Sequence, residues 1–264
     1  MDTQLNGKTA LVTGSTVGIG FAIARMLAQE GVRVWLNGRS TDRVQQAVDR
    51  LKAELPGAAV SGVAADFSKA RDVGDLLRQL PKVDILVNNV GIFEPKAFTD
   101  ISDEEWWRFY EVNVLSGVRL SRHYLPLMLG AGWGRIIFIS SESAINIPEE
   151  MIHYGMTKTA QLAVSRGLAE LTKGTAVTVN SVLPGPTRSE GVGDFVTSLA
   201  KARNVSPDQA EKDFFRTARP SSLLQRFASV EEVASLVTFV ASPLASAING
   251  AALRVDGGVV KSAF

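Results

Sequence analysis

The chain has 264 residues, 45% of them hydrophobic and 21% charged, and its 28 basic and 27 acidic side chains leave a net charge of +1. That balance is the composition of a globular protein and gives no reason to expect nucleic acid or an anionic membrane as partner. With no cysteine and only two histidines, His123 and His153, disulfides, thiolate chemistry and cysteine-based zinc sites are excluded, and no metal is expected.

In chain order, Met1 to Lys8 carries acid and amide where a signal peptide needs a basic and then an apolar stretch. Nowhere does a run of about twenty apolar residues offer a membrane span. A cytoplasmic protein is therefore expected. Thr9 to Thr13 reads as a buried strand and Ile19 to Gln29 as a helix. Arg33 to Asn37 is a strand, and Val44, Ala47, Val48, Leu51 and Leu55 fall at helical spacing. Val60 to Ala65 is a strand, Ala70 to Leu80 a helix and Asp84 to Asn88 a strand. A long helix is predicted from Asp103 to about Leu129, started by a capping box of Ser102 and Glu105, with Pro126 a candidate kink. Arg135 to Ser140 is the next strand, Ile152 to Thr172 a helix and Ala176 to Leu183 a strand. Ser206-Pro207-Asp208-Gln209 and Ser229-Val230-Glu231-Glu232 are further helix starts, and Ala251 to Val255 is a last strand.

Repeated strand–helix–strand units with near-continuous apolar strands predict an α/β fold. A single doubly wound, Rossmann-type domain over residues 1–264 is expected, with a seven-stranded parallel sheet and helices on both faces. The segment from about 186 to 225 interrupts the alternation and is expected to form a substrate flap over the sheet's carboxyl edge.

Thr13-Gly14-Ser15-Thr16-Val17-Gly18-Ile19-Gly20 joins the first strand to the first helix. Glycines there permit a tight turn and close backbone approach to a pyrophosphate, and the helix N-terminus supplies amides. In this setting the loop predicts dinucleotide binding, although the spacing is Gly-x-x-x-Gly-x-Gly. Tyr154 and Lys158 are four residues apart in a predicted helix and so share one face. An ammonium beside a phenol favours the phenolate, so the spacing predicts a tyrosine of lowered pKa that exchanges protons with an alcohol or ketone. Taken alone, the pair also fits a surface tyrosine leaning on a lysine stem.

Further motifs follow in order. Asp66 comes after the third strand, Asn88-Asn89-Val90-Gly91 after the fourth, and Val112-Asn113-Val114 lies in the long helix. Ser140-Ser141 follows the fifth strand, and Asn180, Pro184-Gly185 and Val255-Asp256-Gly257-Gly258 come after Lys158. With these in register, the chain resembles the short-chain dehydrogenase/reductase family over essentially its whole length, and 3-oxoacyl-carrier-protein-reductase-like members most generally.

The resemblance implies a catalytic tetrad of Asn113, Ser141, Tyr154 and Lys158. Tyr154 would be the general acid in reduction and the base in oxidation. Lys158 would lower its pKa and bond the nicotinamide ribose, and Ser141 would polarise the substrate oxygen. Asn113 would hold a water that relays protons to Lys158. Ser141 is preferred to Ser140 because it stands thirteen residues before Tyr154, the family's usual separation. Without the resemblance, Asn113 reads as a helix-interior asparagine and the serines as strand-end residues bonded to local backbone.

Cofactor contacts are implied for Gly14, Ser15, Thr16, Gly18, Ile19 and Gly20 in the first turn, and for Asp66 and Phe67 at the adenine. Asn89, Val90 and Gly91 would line the adenosine ribose, and Tyr154, Lys158, Pro184, Gly185, Thr187 and Ser189 the nicotinamide end. Asp66 by itself also reads as a turn or helix-start residue. At the end of the second strand Gly38 stands where a carboxylate would bind the ribose 2′-hydroxyl, and Arg39 with Ser40 could clamp a 2′-phosphate. NADP(H) is therefore expected, with NAD(H) possible, because the glycine loop lacks a second basic residue.

The predicted function is hydride transfer between nicotinamide and a small ketone or secondary alcohol. The alternatives are a non-catalytic nucleotide sensor on the same scaffold and an NAD-dependent alcohol dehydrogenase. Helices 103–129 and 152–172 are the faces through which relatives form tetramers, so a homo-oligomer, tetramer or dimer, is expected. His153 points about 100° away from Tyr154 on an ideal helix and is expected to face solvent or an interface.

Overall fold

The computed structural model describes residues 2–190, 192, 193, 197, 200, 201 and 204–263. The apolar runs become strands β1 (Thr9–Val12), β2 (Arg33–Gly38), β3 (Val60–Ala64), β4 (Ile85–Asn88), β5 (Gly134–Ile139) and β6 (Val177–Pro184). They are followed by β7 (Thr187–Arg188), β8 (Ala228–Ser229) and β9 (Ala252–Val255). Seven of these form one parallel sheet in the order β3-β2-β1-β4-β5-β6-β9, and β7 and β8 pair separately. The order reverses between β1 and β4, where Val12 pairs with Leu36 on one side and Val87 on the other. Ligand crevices of such sheets lie at that switch point, beyond the carboxyl ends of the strands.

The helices are α1 (Gly18–Gln29), α2 (Thr41–Glu54), α3 (Ala70–Gln79), α4 (Asp103–Tyr110), α5 (Ser116–Ala131) and α6 (Ile152–Glu170). Two more follow, α7 (Pro207–Thr217) and α8 (Val230–Ala241). Alternate strand residues point to opposite faces and build two cores. Val12, Val87 and Ile137 pack with Leu27, Val48 and Val237 of α1, α2 and α8. Leu11, Leu86 and Ile136 pack on the other face with Leu76 of α3 and Leu120 and Tyr124 of α5. Each such fully buried side chain contributes about 1.5–3 kcal/mol of transfer free energy. Both predicted capping boxes form, Ser102 with Glu105 and Ser229 with Glu232.

The long helix expected over 103–129 forms as an unbroken run of helical backbone with a π-helical turn inside it. α4 ends at Tyr110, a π-helical turn spans Glu111–Leu115, and α5 runs on through Pro126 to Ala131. The π turn holds Asn113, whose side chain bonds to the backbone of Ile92 and to Thr157. Those long-range bonds are absent from helical periodicity, so the pattern alone reads as one helix. The two-residue strands β7 and β8 were also unpredicted. They tie the chain leaving β6 to the start of α8.

Of the expected flap at 186–225, residues 191, 194–196, 198, 199, 202 and 203 lie outside the described residues. The described remainder contains α7, whose Phe214 stacks on Phe227 at 5.1 Å between centroids and whose Phe215 meets the same ring edge-on. Among the described residues no helix is long and apolar enough to cross a membrane. No group of three or more His, Cys, Asp or Glu among them is placed to hold a metal ion.

Candidate active site

The loop after β1 needs its glycines. Gly14 and Gly18 have φ of +59° and +61°, the left-handed region that favours glycine. A Cβ on Gly20 would lie 2.5 Å from Asn89 Nδ2 and from the Gly14 carbonyl oxygen. Two asparagines hold the loop in this shape. Asn37, at the end of β2, accepts from Ser15 N through its carbonyl at 2.8 Å and from Gly14 N through Oδ1 at 3.1 Å. Asn89 donates from Nδ2 to the carbonyls of Thr13 and Gly14 at 2.9 and 3.0 Å. Thr13 Oγ1 in turn accepts from the amides of Asn89 and Val90 at 2.9 and 3.1 Å.

α1 then starts behind Val17, which has no side-chain oxygen to cap it, and no acid stands in its first turn. A helix N-terminus of this kind presents unpaired amides and partial positive charge, which fits a pyrophosphate. Ile19 packs its side chain against the first core, so a cofactor would meet only its backbone.

At the far end of the crevice, a Cβ on Gly38 would lie 2.7 Å from Thr16 Cγ2. Arg39 and Ser40 are exposed. Ser40 caps α2, its Oγ accepting from Arg43 N at 3.5 Å. Among the described residues Arg39 makes no hydrogen bond or ion pair, and its charge reaches the Asp66 carboxylate. Burial works to raise the pKa of Asp66, but hydrogen bonds from Ser68, aided by Lys69 and Arg39, hold it below the usual value. Asp66 Oδ1 accepts from Ser68 N and Oγ at 3.0 and 2.8 Å, so the turn reading describes this oxygen. The Phe67 ring is buried in the second core, where an apolar side chain belongs, so a cofactor would meet only its backbone.

The predicted tetrad residues converge from three places, α6, the π turn and the segment after β5. Lys158 is 4% exposed, and its Nζ donates to the Ile139 carbonyl at 3.0 Å and to Gln161 Oε1 at 3.4 Å. Nζ lies 5.6 Å from the centroid of the Tyr154 ring. A Cβ on Gly91 would sit 3.3 Å from Lys158 Nζ and 3.6 Å from Asn113 Oδ1, so glycine there lets the two approach.

Both polar side-chain atoms of Asn113 are engaged. Oδ1 accepts from Ile92 N at 2.7 Å, and Nδ2 donates to Ile92 O and Thr157 Oγ1, each at 3.0 Å. The two serines after β5 divide their work. Ser140 Oγ donates to the Lys158 carbonyl at 2.9 Å and anchors α6. Ser141 Oγ accepts from Ser143 N at 3.1 Å and acts to lower the pKa of the Tyr154 phenol.

The expected lowering of the Tyr154 pKa does not appear. Burial pushes the phenol up to about 12, with Ser141 pulling down, Glu142 pushing up and Arg219 pulling down. Burial also drives Lys158 down to about 7. A buried lysine that gives up its proton more readily exerts a reduced pull on its neighbour.

The other predicted residues surround this centre. A Cβ on Gly185 would lie 2.5 Å from the Asp256 carbonyl oxygen, so the chain leaving Pro184 packs tightly on the loop after β9. Thr187 is buried and donates from Oγ1 to Gly185 O at 2.9 Å. Ser189 Cβ approaches Gly18, at 3.4 Å from where a Cβ on that glycine would be. His153 does not face solvent. It is 1% exposed, with its ring centroid 4.0 Å from that of Phe109 and 5.9 Å from that of Trp106, because α4 packs across the start of α6.

Three features escaped the sequence reading. Asn37 and Gln161 are uncharged amides within apolar elements, and only a polar residue in an otherwise buried run hints at them. The third is a buried ion pair, Arg219 Nε to Glu142 Oε1 at 2.9 Å, with side chains 10% and 4% exposed. Glu142 follows Ser141 directly. Burial raises its pKa against the opposing pull of Arg219. Two clefts of about 480 and 430 Å³ share Asn146, Ala218 and Arg219, and neither is lined by a tetrad residue.

Residues 8–198 match the family model described as short chain dehydrogenase. The chain is 53% identical to the uncharacterized oxidoreductase YvaG of Bacillus subtilis (strain 168), covering 100% of both chains. It is 32% identical to the 3-oxoacyl-[acyl-carrier-protein] reductase FabG of Aquifex aeolicus, covering 98% of this chain and 100% of that one. Among solved structures it is similar to the L-sorbose reductase of Gluconobacter frateurii complexed with NADPH and L-sorbose. That match has a TM-score of 0.93 and 32% identity, over 99% of this chain and 100% of that one.

Proposed function

The chain belongs to the short-chain dehydrogenase/reductase family of oxidoreductases, and we propose that it is an NADP(H)-dependent enzyme interconverting a ketone and a secondary alcohol. The observation that carries this reading is the convergence of buried Ser141 and Lys158 on half-buried Tyr154, in a fold whose glycine loop opens an uncapped helix N-terminus. When bound, the nicotinamide supplies the hydride donor or acceptor.

The protein's own residues move the proton. Tyr154, protonated throughout the neutral range with a pKa near 12, gives its proton to the ketone oxygen in reduction. In oxidation its phenolate takes the alcohol proton, which is the harder direction at neutral pH. Ser141 holds the same substrate oxygen through its hydroxyl. The Lys158 ammonium steadies negative charge as it develops on the phenol. Phe93, edge-on to Tyr154 at 6.2 Å and 61% exposed, would offer an apolar wall to a small-molecule substrate, and exposed Ile145 and Ile147 would extend it.

Three observations support the cofactor preference. Gly38 brings no carboxylate to the end of β2, Arg39 is exposed with its guanidinium unpaired among the described residues, and the similar L-sorbose reductase carries NADPH. Asp66 Oδ2 and the backbone of Asn89 to Gly91 would meet the adenosine. The 186–225 segment would act as the substrate flap, linked to the catalytic loop by Arg219 and Glu142. Exposed Trp107 and Leu171, on and beside α4 and α6, are apolar surface that a second copy would cover in a homo-oligomer. Steady-state reduction of a ketone panel with NADPH and NADH in parallel tests the reading. Turnover with a kcat/KM favouring NADPH is expected, and a preference for NADH would contradict the cofactor assignment.

A further inference from the structure

We infer that Gln161 is a positioning residue of the proton-transfer site, tying the Lys158 ammonium to the backbone carbonyl of Asn113. Gln161 is 2% exposed and stands on α6 one turn beyond Lys158, on the face that also carries Tyr154. Its Oε1 accepts from Lys158 Nζ at 3.4 Å, and its Nε2 donates to Asn113 O at 2.5 Å. The amide can be oriented only this way. A lysine ammonium has no acceptor and a carbonyl has no donor, so oxygen must face Lys158 and nitrogen must face Asn113.

The surroundings make this contact count. The other oxygen that receives Lys158 Nζ is the Ile139 carbonyl, also neutral. Tyr154 faces the lysine from its own helix. Glu142 from the loop after β5 and Arg219 from beyond α7 act on Tyr154, and among the described residues no carboxylate forms an ion pair with Lys158 Nζ, whose two hydrogen-bond acceptors are neutral oxygens. The ammonium therefore depends on two amide-type oxygens for its charge, and Gln161 supplies one. The same side chain fastens the π turn at Asn113 to α6, so the place of the lysine and the shape of the π turn are set together. Asn113 was expected to reach Lys158 through a held water. Here its carbonyl reaches the lysine through a glutamine side chain.

The inference rests on the catalytic reading above, and the test separates the two. Rates of ketone reduction with NADPH are measured against pH for wild type, Gln161→Met, Gln161→Glu and Tyr154→Phe, with NADPH binding followed by fluorescence and folding by thermal melting. Loss of the Oε1 acceptor favours the neutral amine, so Gln161→Met should move the alkaline limb of kcat/KM down by about one pH unit. A carboxylate favours the ammonium, so Gln161→Glu should move that limb up by a similar amount, about one unit. NADPH affinity should change by less than about threefold while kcat of Gln161→Met falls about tenfold.

If all three glutamine-site proteins share one alkaline limb, Gln161 only fills space and the inference is overturned. If Gln161→Met does not fold, the upward shift in Gln161→Glu decides alone. If Tyr154→Phe keeps the wild-type rate, the catalytic reading itself fails and the inference falls with it.

Discussion

Gly38 and Thr16 stand so close that a Cβ on the glycine would lie 2.7 Å from Thr16 Cγ2. The end of β2 therefore has no room for an acidic side chain unless Thr16 moves. An acid in that neighbourhood would have to enter one residue later, at exposed Arg39.

That relationship frames the first prediction. Arg39→Asp replaces a guanidinium available to a phosphate with a charge that repels it. The ratio of kcat/KM for NADPH over NADH should fall by at least about tenfold. An unchanged ratio would remove Arg39 from the cofactor site.

Lys158 gives a prediction about stability. Its pKa is about 7 in the folded protein against an ordinary 10.5. Between those values the unfolded chain binds more protons, so stability rises with pH over that window. Below about pH 7 the cost of burying the ammonium is fully present. In Lys158→Met that cost is gone, while lost hydrogen bonds act alike at every pH. The melting temperature of the variant minus that of wild type should therefore fall by about 3 °C or more between pH 6 and pH 9. A difference independent of pH would show that the lysine titrates normally.

Arg219 and Glu142 form a third case. Arg219→Met leaves a carboxylate buried without its partner, which typically costs about 3–5 kcal/mol. Adding Glu142→Gln removes the stranded charge and should recover most of the loss in urea unfolding. A double variant no more stable than the single one would mean that the charge pair does not hold this junction.

These sites were legible to different degrees in the sequence. The parallel sheet was plain because buried strands such as Ile85 to Val87 and Ile136 to Ile139 are continuous apolar runs, and the glycine loop announces its own turn. The π turn at Glu111–Leu115 was hidden because a π turn and an α-helix bury nearly the same residues. It is maintained by Ile92, Thr157 and Gln161, all distant in sequence. β7 and β8 are two residues each, too short for any periodicity.

Local chemistry misled at two positions. His153 was placed outside because an ideal helix rotates it away from Tyr154, but α4 covers that face with Trp106 and Phe109. The Tyr154–Lys158 spacing correctly put two side chains together, yet their pKa values follow burial, which a spacing does not contain.

The most direct test of the account is ketone-dependent NADPH oxidation by Tyr154→Phe beside wild type, with NADPH binding checked in both. Phenylalanine keeps the ring and removes the proton. The account predicts a rate lower by at least about a hundredfold with NADPH still bound. A Tyr154→Phe rate within about threefold of wild type would contradict it.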